Sequence, residues 1–340
     1  MRLTAGALPI LAVGLALVIT AVALGPYTIP LSHTVDILLA QVGIGSSSAP
    51  QTEQAIVASV RMPRIALTLV VGGALGVAGA VMQGLFRNPM ADPGIIGVSA
   101  GGALGAIIAI STGAQAAFVL ALPAMSFAGA GGTLALVYGV ASVGGRFSMS
   151  ALLLSGVAIG AFIAAIISAI ILFTENLEAQ RDMLFWLAGG LDASRWGEVH
   201  LSLPFVLFGM AVAVFMSRDL NLLMISEDEA RSLGVRVGLT RNSLLAAASL
   251  ITGTAVAFSG TIAFVGLIVP HALRLVTGAD NRVLVPLSAM GGAVFLLAAD
   301  TLARMVIAPA EVSVGIITAL VGAPFFLMLL ARNKARASML

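Results

Sequence analysis

Two groups of polar residues interrupt long apolar stretches in a pattern that lipid anchoring alone does not require. Arg61 and Arg64 flank a proline and precede an apolar run of membrane-spanning length. The segment after that run reads Asn-Pro-Met-Ala-Asp-Pro-Gly and starts at Asn88. A proline restricts the residue before it, so Asn88-Pro89 ends the helix. Non-helical backbone at membrane depth persists only against protein or water, so this elbow is either a gate or a structural turn.

The chemistry open to the arginines is carboxylate recognition. A guanidinium group is planar and makes two parallel hydrogen bonds to a carboxylate. Arg304, at the end of a later apolar run, is a third candidate for this role. Two alternatives stay open, since such arginines also reach lipid headgroups. Asp300 and Arg304 are four residues apart on one helix face, where they could pair with each other.

A long polar segment starts at Arg218 and contains the pattern of a short capped helix. Ser226 and Glu229 have the spacing of a capping box, and acidic residues suit the first turn of a helix. Gly234 is placed to end that helix. We predict a helix over 226–235 that is too polar to enter a bilayer.

Several other chemistries are excluded or disfavoured. The chain has no cysteine, and Lys334 is its only lysine. No Gly-x-x-x-x-Gly-Lys-Ser/Thr motif is present, so a partner must hydrolyse any ATP that is used. His271 follows a proline within an apolar run, and we expect its ring to bond a nearby carbonyl rather than a metal or haem. We predict no metal site, no cofactor and no nucleic-acid partner.

The composition indicates a membrane protein. Hydrophobic residues make up 59% of the chain and charged residues 9%, whereas soluble domains carry about 25% charged residues. The apolar runs are continuous rather than alternating, which favours helices over a barrel. We therefore predict an all-α, polytopic, compact bundle that forms a single domain over 1–340, with a cytoplasmic loop at about 217–241.

Ten apolar segments are long enough, or nearly long enough, to span a bilayer. The eighth is short, and we expect a break before it at Ser259-Gly260. The predicted spans are 7–25, 62–84, 94–112, 117–140, 149–173, 198–216, 242–259, 262–277, 284–305 and 312–331.

An even number of spans puts both termini on one side of the membrane. With both termini in the cytoplasm, twelve basic residues lie inside and five outside, in agreement with the positive-inside rule. The five outer ones are Arg61, Arg64, Arg181, Arg195 and Arg304. One alternative stays open: Arg2, an apolar run and Ala21-Val-Ala also fit a cleaved secretory signal, which would leave nine spans.

A series of motifs along nearly the whole chain resembles the permease subunits of ATP-driven importers for iron chelates, haem and cobalamin, the FecCD-type family. Where the family usually reads Gly-Ser, this chain has Gly189-Gly190, a departure that touches only local loop geometry. The matching motifs are Arg61-Met-Pro-Arg64, Asn88-Pro-Met-Ala-Asp92-Pro-Gly, Leu153-Leu-Ser-Gly-Val, Phe185-Trp186-Leu-Ala-Gly-Gly, Glu229-Ala … Leu-Gly, Gly266-Leu-Ile-Val-Pro270-His271-Ala-Leu-Arg274 and Gly315-Ile-Ile-Thr318-Ala-Leu-Val-Gly322-Ala-Pro324-Phe.

The resemblance implies a homodimer with one central pathway, a cytoplasmic dimer of ATP-binding-cassette ATPases and a periplasmic or lipid-anchored binding protein. It implies that Arg61, Arg64 and Arg304 dock the binding protein. It also implies a cytoplasmic gate formed by Asn88, Met90, Phe147 and Ser148. The residues it assigns to ATPase coupling are Ser226, Glu227, Asp228, Glu229, Ala230, Leu233 and Gly234.

The function favoured by the sequence is therefore import of a bulky iron chelate, such as a ferric siderophore or haem, across the bacterial cytoplasmic membrane. Cobalamin is the alternative cargo. An ion-coupled secondary transporter is the rival of another class, but it needs acidic residues inside the membrane, and only Asp300 and Asp92 could serve. Catalytic pairs and channel filter motifs are absent from the sequence, which disfavours an enzyme or a channel.

Overall fold

The computed structural model describes residues 2–144, 147–192, 194–308 and 310–337. These residues form α-helices and no named β-strand. The helices are α1 (Arg2–Ala23), α2 (Leu31–Gln41), α3 (Gln51–Ile56), α4 (Met62–Leu85), α5 (Val98–Ser111), α6 (Ala114–Ala117), α7 (Ala121–Ala141), α8 (Met149–Phe173), α9 (Leu177–Ala188), α10 (Trp196–Phe215), α11 (Ser217–Ile225), α12 (Glu227–Ser232), α13 (Val237–Ser259), α14 (Val265–Thr277), α15 (Asn281–Ala303) and α16 (Val314–Ala337).

Ten of these helices correspond to the ten predicted spans, which confirms the all-α polytopic fold. Seven stretches of the described chain are long and apolar enough to cross a membrane by themselves. The shorter apolar helices are Val98–Ser111, Val265–Thr277 and Val314–Met328, and they fall within the third, eighth and tenth predicted spans. The remaining helices connect the spans.

Two predicted spans are shortened by backbone breaks. The third was expected to start at residue 94, but a 3-10 turn covers Pro93–Ile96. Gly97 then adopts a left-handed conformation with φ +81°, so α5 begins only at Val98. Before the eighth span, α13 ends at Ser259 and α14 begins at Val265, which confirms the expected break.

The second span is longer than predicted because its helix continues outward. Helical backbone runs through Gln51–Leu85, with a π-helical turn at Val57–Arg61. Pro63 stands in the first turn of α4, where its missing N–H costs little. The π-turn thus lies just before the proline, and the helical backbone continues through both.

Helix α4 lies at the centre of the bundle, where small residues allow close packing. A Cβ atom on Gly76 would contact the carbonyl oxygen of Ser288 on α15, and one on Gly72 would contact that of Gly292. Close packing at a glycine also joins α5 to α7, where Gly105 lies against the Met125 carbonyl. Small residues four apart, as the sequence has them in these spans, put the backbones in direct contact.

Helix α8 differs from α4 because most of its surface is uncovered in the single chain. Its buried residues lie along one side and include Gly156, which packs against the Ile95 carbonyl. Gly160 in the same stripe has open space around it. The rest of α8 is free to face lipid or another protein.

Candidate coupling and gate site

The predicted cytoplasmic helix is present as α12, although it covers only Glu227–Ser232 of the predicted 226–235. Ser226 Oγ accepts a hydrogen bond from the Glu229 amide at 2.9 Å, which satisfies one of the free N–H groups of the first turn. The reciprocal bond of a full capping box, from the Ser226 amide to the Glu229 carboxylate, is not among those of the described residues. Gly234 ends the helix with φ +85°, as predicted.

One face of α12 packs on the membrane bundle and the other is exposed. Ala230 is completely buried against Leu223 of α11 and Val237 of α13. Leu85, at the end of α4, packs against the same cluster. The residues exposed on the other side are Asp228, Glu229, Arg231, Ser232, Leu233 and Gly234. A short polar helix that is firmly seated yet open on one side is suited to enter a groove of a partner protein.

The Asn-Pro elbow after α4 is tied to the base of α12. Asn88 and Met90 are exposed, and the Asn88 side chain accepts a hydrogen bond from the Met90 amide at 2.9 Å. Arg87 adopts φ 49°, and its Nε and Nη2 atoms donate to the Leu223 carbonyl at 3.0 and 2.6 Å. That carbonyl lies in the last turn of α11, so Arg87 satisfies an end of the helix that leads directly to α12.

The second predicted gate segment lies where α8 begins. Ser148 is the N-cap of α8, and its Oγ accepts a hydrogen bond from the Ala151 amide at 3.2 Å. The Phe147 ring packs against Tyr138 of α7 with 5.2 Å between ring centroids. Its other neighbour is Arg241 of α13, whose guanidinium carbon lies 4.2 Å from the ring centroid.

A polar cluster fixes α11 against the start of α15. Asn221 donates to Asp280 at 2.7 Å and accepts from the amide of Asn281 at 2.9 Å. Asp280 also binds the Arg282 guanidinium at 2.8 Å, and the bonds from Arg282 and then Asn221 lower the pKa of this carboxyl to about 2. Helix α11, which leads to α12, is therefore held in its middle by this cluster and in its last turn by Arg87.

The three arginines predicted to dock a binding protein are buried and already have partners within the chain. Arg61 is 5% exposed, Arg64 8% and Arg304 4%. Arg61 donates to the Val22 and Tyr27 carbonyls. Arg304 donates to the carbonyls of Ala21 and Leu24 at 3.2 and 3.3 Å. These two arginines thus satisfy carbonyls at the C-terminal end of α1, where positive charge is stabilising.

Arg64 and Arg304 share one buried carboxylate. Asp300 is 0% exposed, and it lies 2.9 Å from Arg64 and 3.2 Å from Arg304. The alternative of an Asp300–Arg304 pair on one helix is therefore realised. Arg64 also contacts Glu311 at 2.6 Å. Docking of a partner by these arginines stays a prediction, and their positions give them a structural role as well.

Two cavities lie beside α9, the short helix that connects the fifth and sixth spans. The larger has a volume of about 710 Å³ and is lined by residues that include Trp186, Asp182, Arg195 and Glu198. The smaller, of about 250 Å³, is lined by Arg64, Glu311 and Asp192 among others. Phe185 lines both cavities. If a molecule enters on the predicted outer side, these cavities are the spaces open to it.

His271 does not make the bond expected from its sequence. Its Nδ1 is buried and has no hydrogen-bond partner among the described residues. Within those residues, no group of three or more histidine, cysteine, aspartate or glutamate side chains is close enough to hold a metal ion.

The sequence analysis did not identify the arginines that connect the gate segments with α11 and α12. Arg87 and Arg241 were counted only as cytoplasmic charge. One signal could have found them: both are basic residues directly beside predicted functional segments, Arg87 before Asn88 and Arg241 after the polar helix. Their partners, however, are distant in sequence, so the pattern alone does not reveal them.

The model of the FecCD transport family matches residues 11–332. The chain belongs to this family. It is 48% identical over 288 residues to a protein of Halobacterium salinarum named cobalamin import system permease protein BtuC, covering 85% of this chain and 76% of that one. It is 39% identical over 282 residues to the hemin transport system permease protein HmuU of Yersinia pestis, covering 82% and 84% of the two chains.

A solved structure with the same fold supports this assignment. It is an inward-facing conformation of a transporter assigned to the metal-chelate type of ABC transporter. The TM-score is 0.82 at 32% sequence identity, and the match covers 96% of this chain and 98% of that one. This FecCD protein is therefore a polytopic permease subunit of an ABC importer of the metal-chelate type, located in the cytoplasmic membrane. In such importers a separate ATPase hydrolyses ATP.

Proposed function

We propose that two copies of this chain form one pathway for a bulky metal chelate, powered by an ATPase dimer that binds α12. The observation that carries the proposal is the position of α12. Its exposed face is open to a cytoplasmic partner, while its buried face contacts the end of α4, from which the Asn88–Met90 elbow starts. Movement of the ATPases would thus reach the gate through packed side chains.

The uncovered side of α8 supports a shared pathway between two copies. Small residues recur along it at helical spacing, and they are exposed in the single chain: Ala158, Ala161, Ala165 and Ser168. A bulky cargo that must be released needs walls without strong binding groups. The gate residues Phe147 and Ser148 stand at the cytoplasmic start of this same helix.

The cargo we propose first is an iron chelate, either a ferric siderophore or haem. The similarity to the hemin permease HmuU and to an Fe(3+)-citrate permease, YfmD, at 37% identity, supports this class. Cobalamin is the second candidate, favoured by the 48% identity to the protein named as a cobalamin permease. Uptake of haem, a ferric siderophore and cobalamin by the assembled transporter would decide between them, since only the true cargo should accumulate.

Energy coupling is tested in proteoliposomes that contain this permease, its ATPase partner and the binding protein. We expect uptake to require all three components and internal ATP. A complex with an ATPase variant unable to hydrolyse ATP is the control. Uptake driven by a proton gradient without the ATPase would favour the ion-coupled rival instead.

We also propose that the binding protein docks over the outer ends of α4 and α15, where Arg61, Arg64 and Arg304 lie. Arg64 is the candidate for direct contact because it lines the smaller cavity together with Glu311, which is 30% exposed. Arg64→Gln should slow association of the binding protein at low salt. Because Arg64 is mostly buried, salt should screen its contribution less than that of an exposed charge, and part of the difference should persist at physiological ionic strength.

The matched control is Arg181→Gln, which removes an exposed outer arginine of α9. The unfolding temperature of each variant, in complex with the ATPase, is first compared with that of wild type. This check is needed because Arg64 is also paired with Asp300 within the chain. Equal association rates for folded Arg64→Gln and wild type at low salt would reject direct docking by this arginine.

A further inference from the structure

We propose that Arg241 is a positioning residue that transmits movement of the coupling helix α12 to the gate residue Phe147. The inference deepens the proposed function and rests on it. It concerns a residue that lies in neither the coupling helix nor the gate, but contacts both.

The guanidinium group of Arg241 contacts two different elements. Nη1 lies 3.4 Å from Oε1 of Glu227, the first residue of α12. The guanidinium carbon lies 4.2 Å from the centroid of the Phe147 ring, within the range of a cation–π interaction. The Arg241 side chain is 16% exposed, whereas that of Glu227 is 39% exposed.

Glu227 has a second arginine partner, which lies within α12. It also binds Arg231, one turn further along α12, at 3.2 Å. Arg231 is 58% exposed and belongs to α12 itself, so this second pair moves with the helix. The Glu227–Arg241 pair is different because it crosses from α12 to α13, and a displacement of α12 must change it.

Phe147 is placed to respond to a movement of Arg241. It directly precedes Ser148, the N-cap of α8, and its ring also packs against Tyr138 of α7. The ring thus contacts both a residue linked to α12 and a residue of α7. A shift of the guanidinium group would therefore change the contacts of Phe147 at the start of α8, the helix proposed to line the pathway.

The test uses the complete transporter in proteoliposomes, with ATP hydrolysis and uptake measured in parallel. Arg241→Gln should lower the number of cargo molecules transported per ATP by about fivefold or more, the lower end of typical coupling between sites. The rate of ATP hydrolysis should change less than twofold, because α12 and its exposed face are unaltered. Phe147→Leu should have the same effect, and the double variant should be no worse than either single one.

The matched control is Arg236→Gln, which removes an exposed arginine at the N-cap of the same helix α13. It should keep the wild-type ratio of transport to hydrolysis. This variant separates loss of the Arg241 contacts from a general loss of positive charge on α13.

Three results would overturn the inference: an unchanged ratio for Arg241→Gln, a parallel fall of hydrolysis and transport, or additive effects in the double variant. The proposed function has a separate criterion, which is ATP-dependent uptake by the wild-type complex. If wild type meets that criterion and Arg241→Gln is normal, only the role of Arg241 is rejected.

Discussion

Asp300 is the residue on which the outer ion-pair network depends. It is completely buried and it is within salt-bridge distance of both Arg64 and Arg304. Asp300→Asn would leave two buried guanidinium groups without their shared charge. Removal of one partner of a buried ion pair costs about 3–5 kcal/mol, and we expect a loss of that order in the free energy of unfolding. Denaturant unfolding in detergent measures it.

Glu311→Gln is the matched comparison for this prediction. Glu311 contacts the same Arg64 but is 30% exposed, so water replaces much of the lost interaction and the cost should be about 0–1 kcal/mol. Equal destabilisation by the two substitutions would mean that burial does not determine the strength of this network.

A second residue-scale prediction concerns pH. The pKa of Asp280 is lowered to about 2, chiefly by its bond to Arg282. A carboxyl with a lowered pKa in the folded state stabilises the protein above its unfolded value of 3.8 and loses this contribution as pH falls toward 2. The unfolding temperature of wild type should therefore fall more steeply between pH 4 and pH 2.5 than that of Asp280→Asn. The difference in slope should correspond to about one titrating group. Parallel curves would contradict the prediction.

At the scale of elements, close contact between α4 and α15 depends on glycine. A Cβ atom at Gly76 would overlap the Ser288 carbonyl. Gly76→Ala should force the helices apart and lower stability by about 1–3 kcal/mol, the usual cost of overpacking. Gly139→Ala on α7 is the control, because nothing lies within 4 Å of its Cβ position. It should be neutral or stabilising, since alanine is the better helix former. Thermal unfolding of both variants provides the comparison.

The cap of α12 supports a second prediction at this scale. Ser226 Oγ is the acceptor for the Glu229 amide. Ser226→Ala should weaken α12 by about 1 kcal/mol, the usual value of an N-cap. Because α12 is exposed and outside the membrane, uptake should fall while the amount of permease in the membrane stays the same. Ser232→Ala, at the other end of α12, serves as the control. A fall in membrane insertion that matches the fall in uptake would count against a coupling role.

At the scale of the whole molecule, the testable feature is orientation. The twelve-to-five distribution of basic residues predicts that both termini lie in the cytoplasm. A reporter active only in the cytoplasm should work when fused after Leu340, which lies outside the described residues. The same reporter inserted after Gly45 should be inactive. Gly45 is exposed with open space around it. Activity at Gly45 but not after Leu340 would reverse the orientation.

Features that depend on neighbouring residues could be predicted from the sequence. The apolar runs gave the ten spans, because a bilayer requires continuous apolar length. The break before α14 and the capped helix α12 followed from Gly260, Ser226 and Gly234, whose effects on the backbone are local. The predicted start of α4 at residue 62 is right, but the helical stretch before it was missed, because no local signal in the sequence shows that the helix extends outward through a π-turn.

The partners of the charged residues were decided only by the tertiary structure. Arg64 and Asp300 are 236 positions apart in the chain, yet they form one buried pair. Arg241 meets Phe147 and Glu227 in the same way, through the packing of α13 beside α12 and the start of α8. The sequence by itself determined the membrane spans, the family and the candidate segments, since these follow from composition and local spacing. Whether an arginine faces a partner protein, lipid or a buried carboxylate depends on which helices lie next to it, and only the folded bundle fixes that.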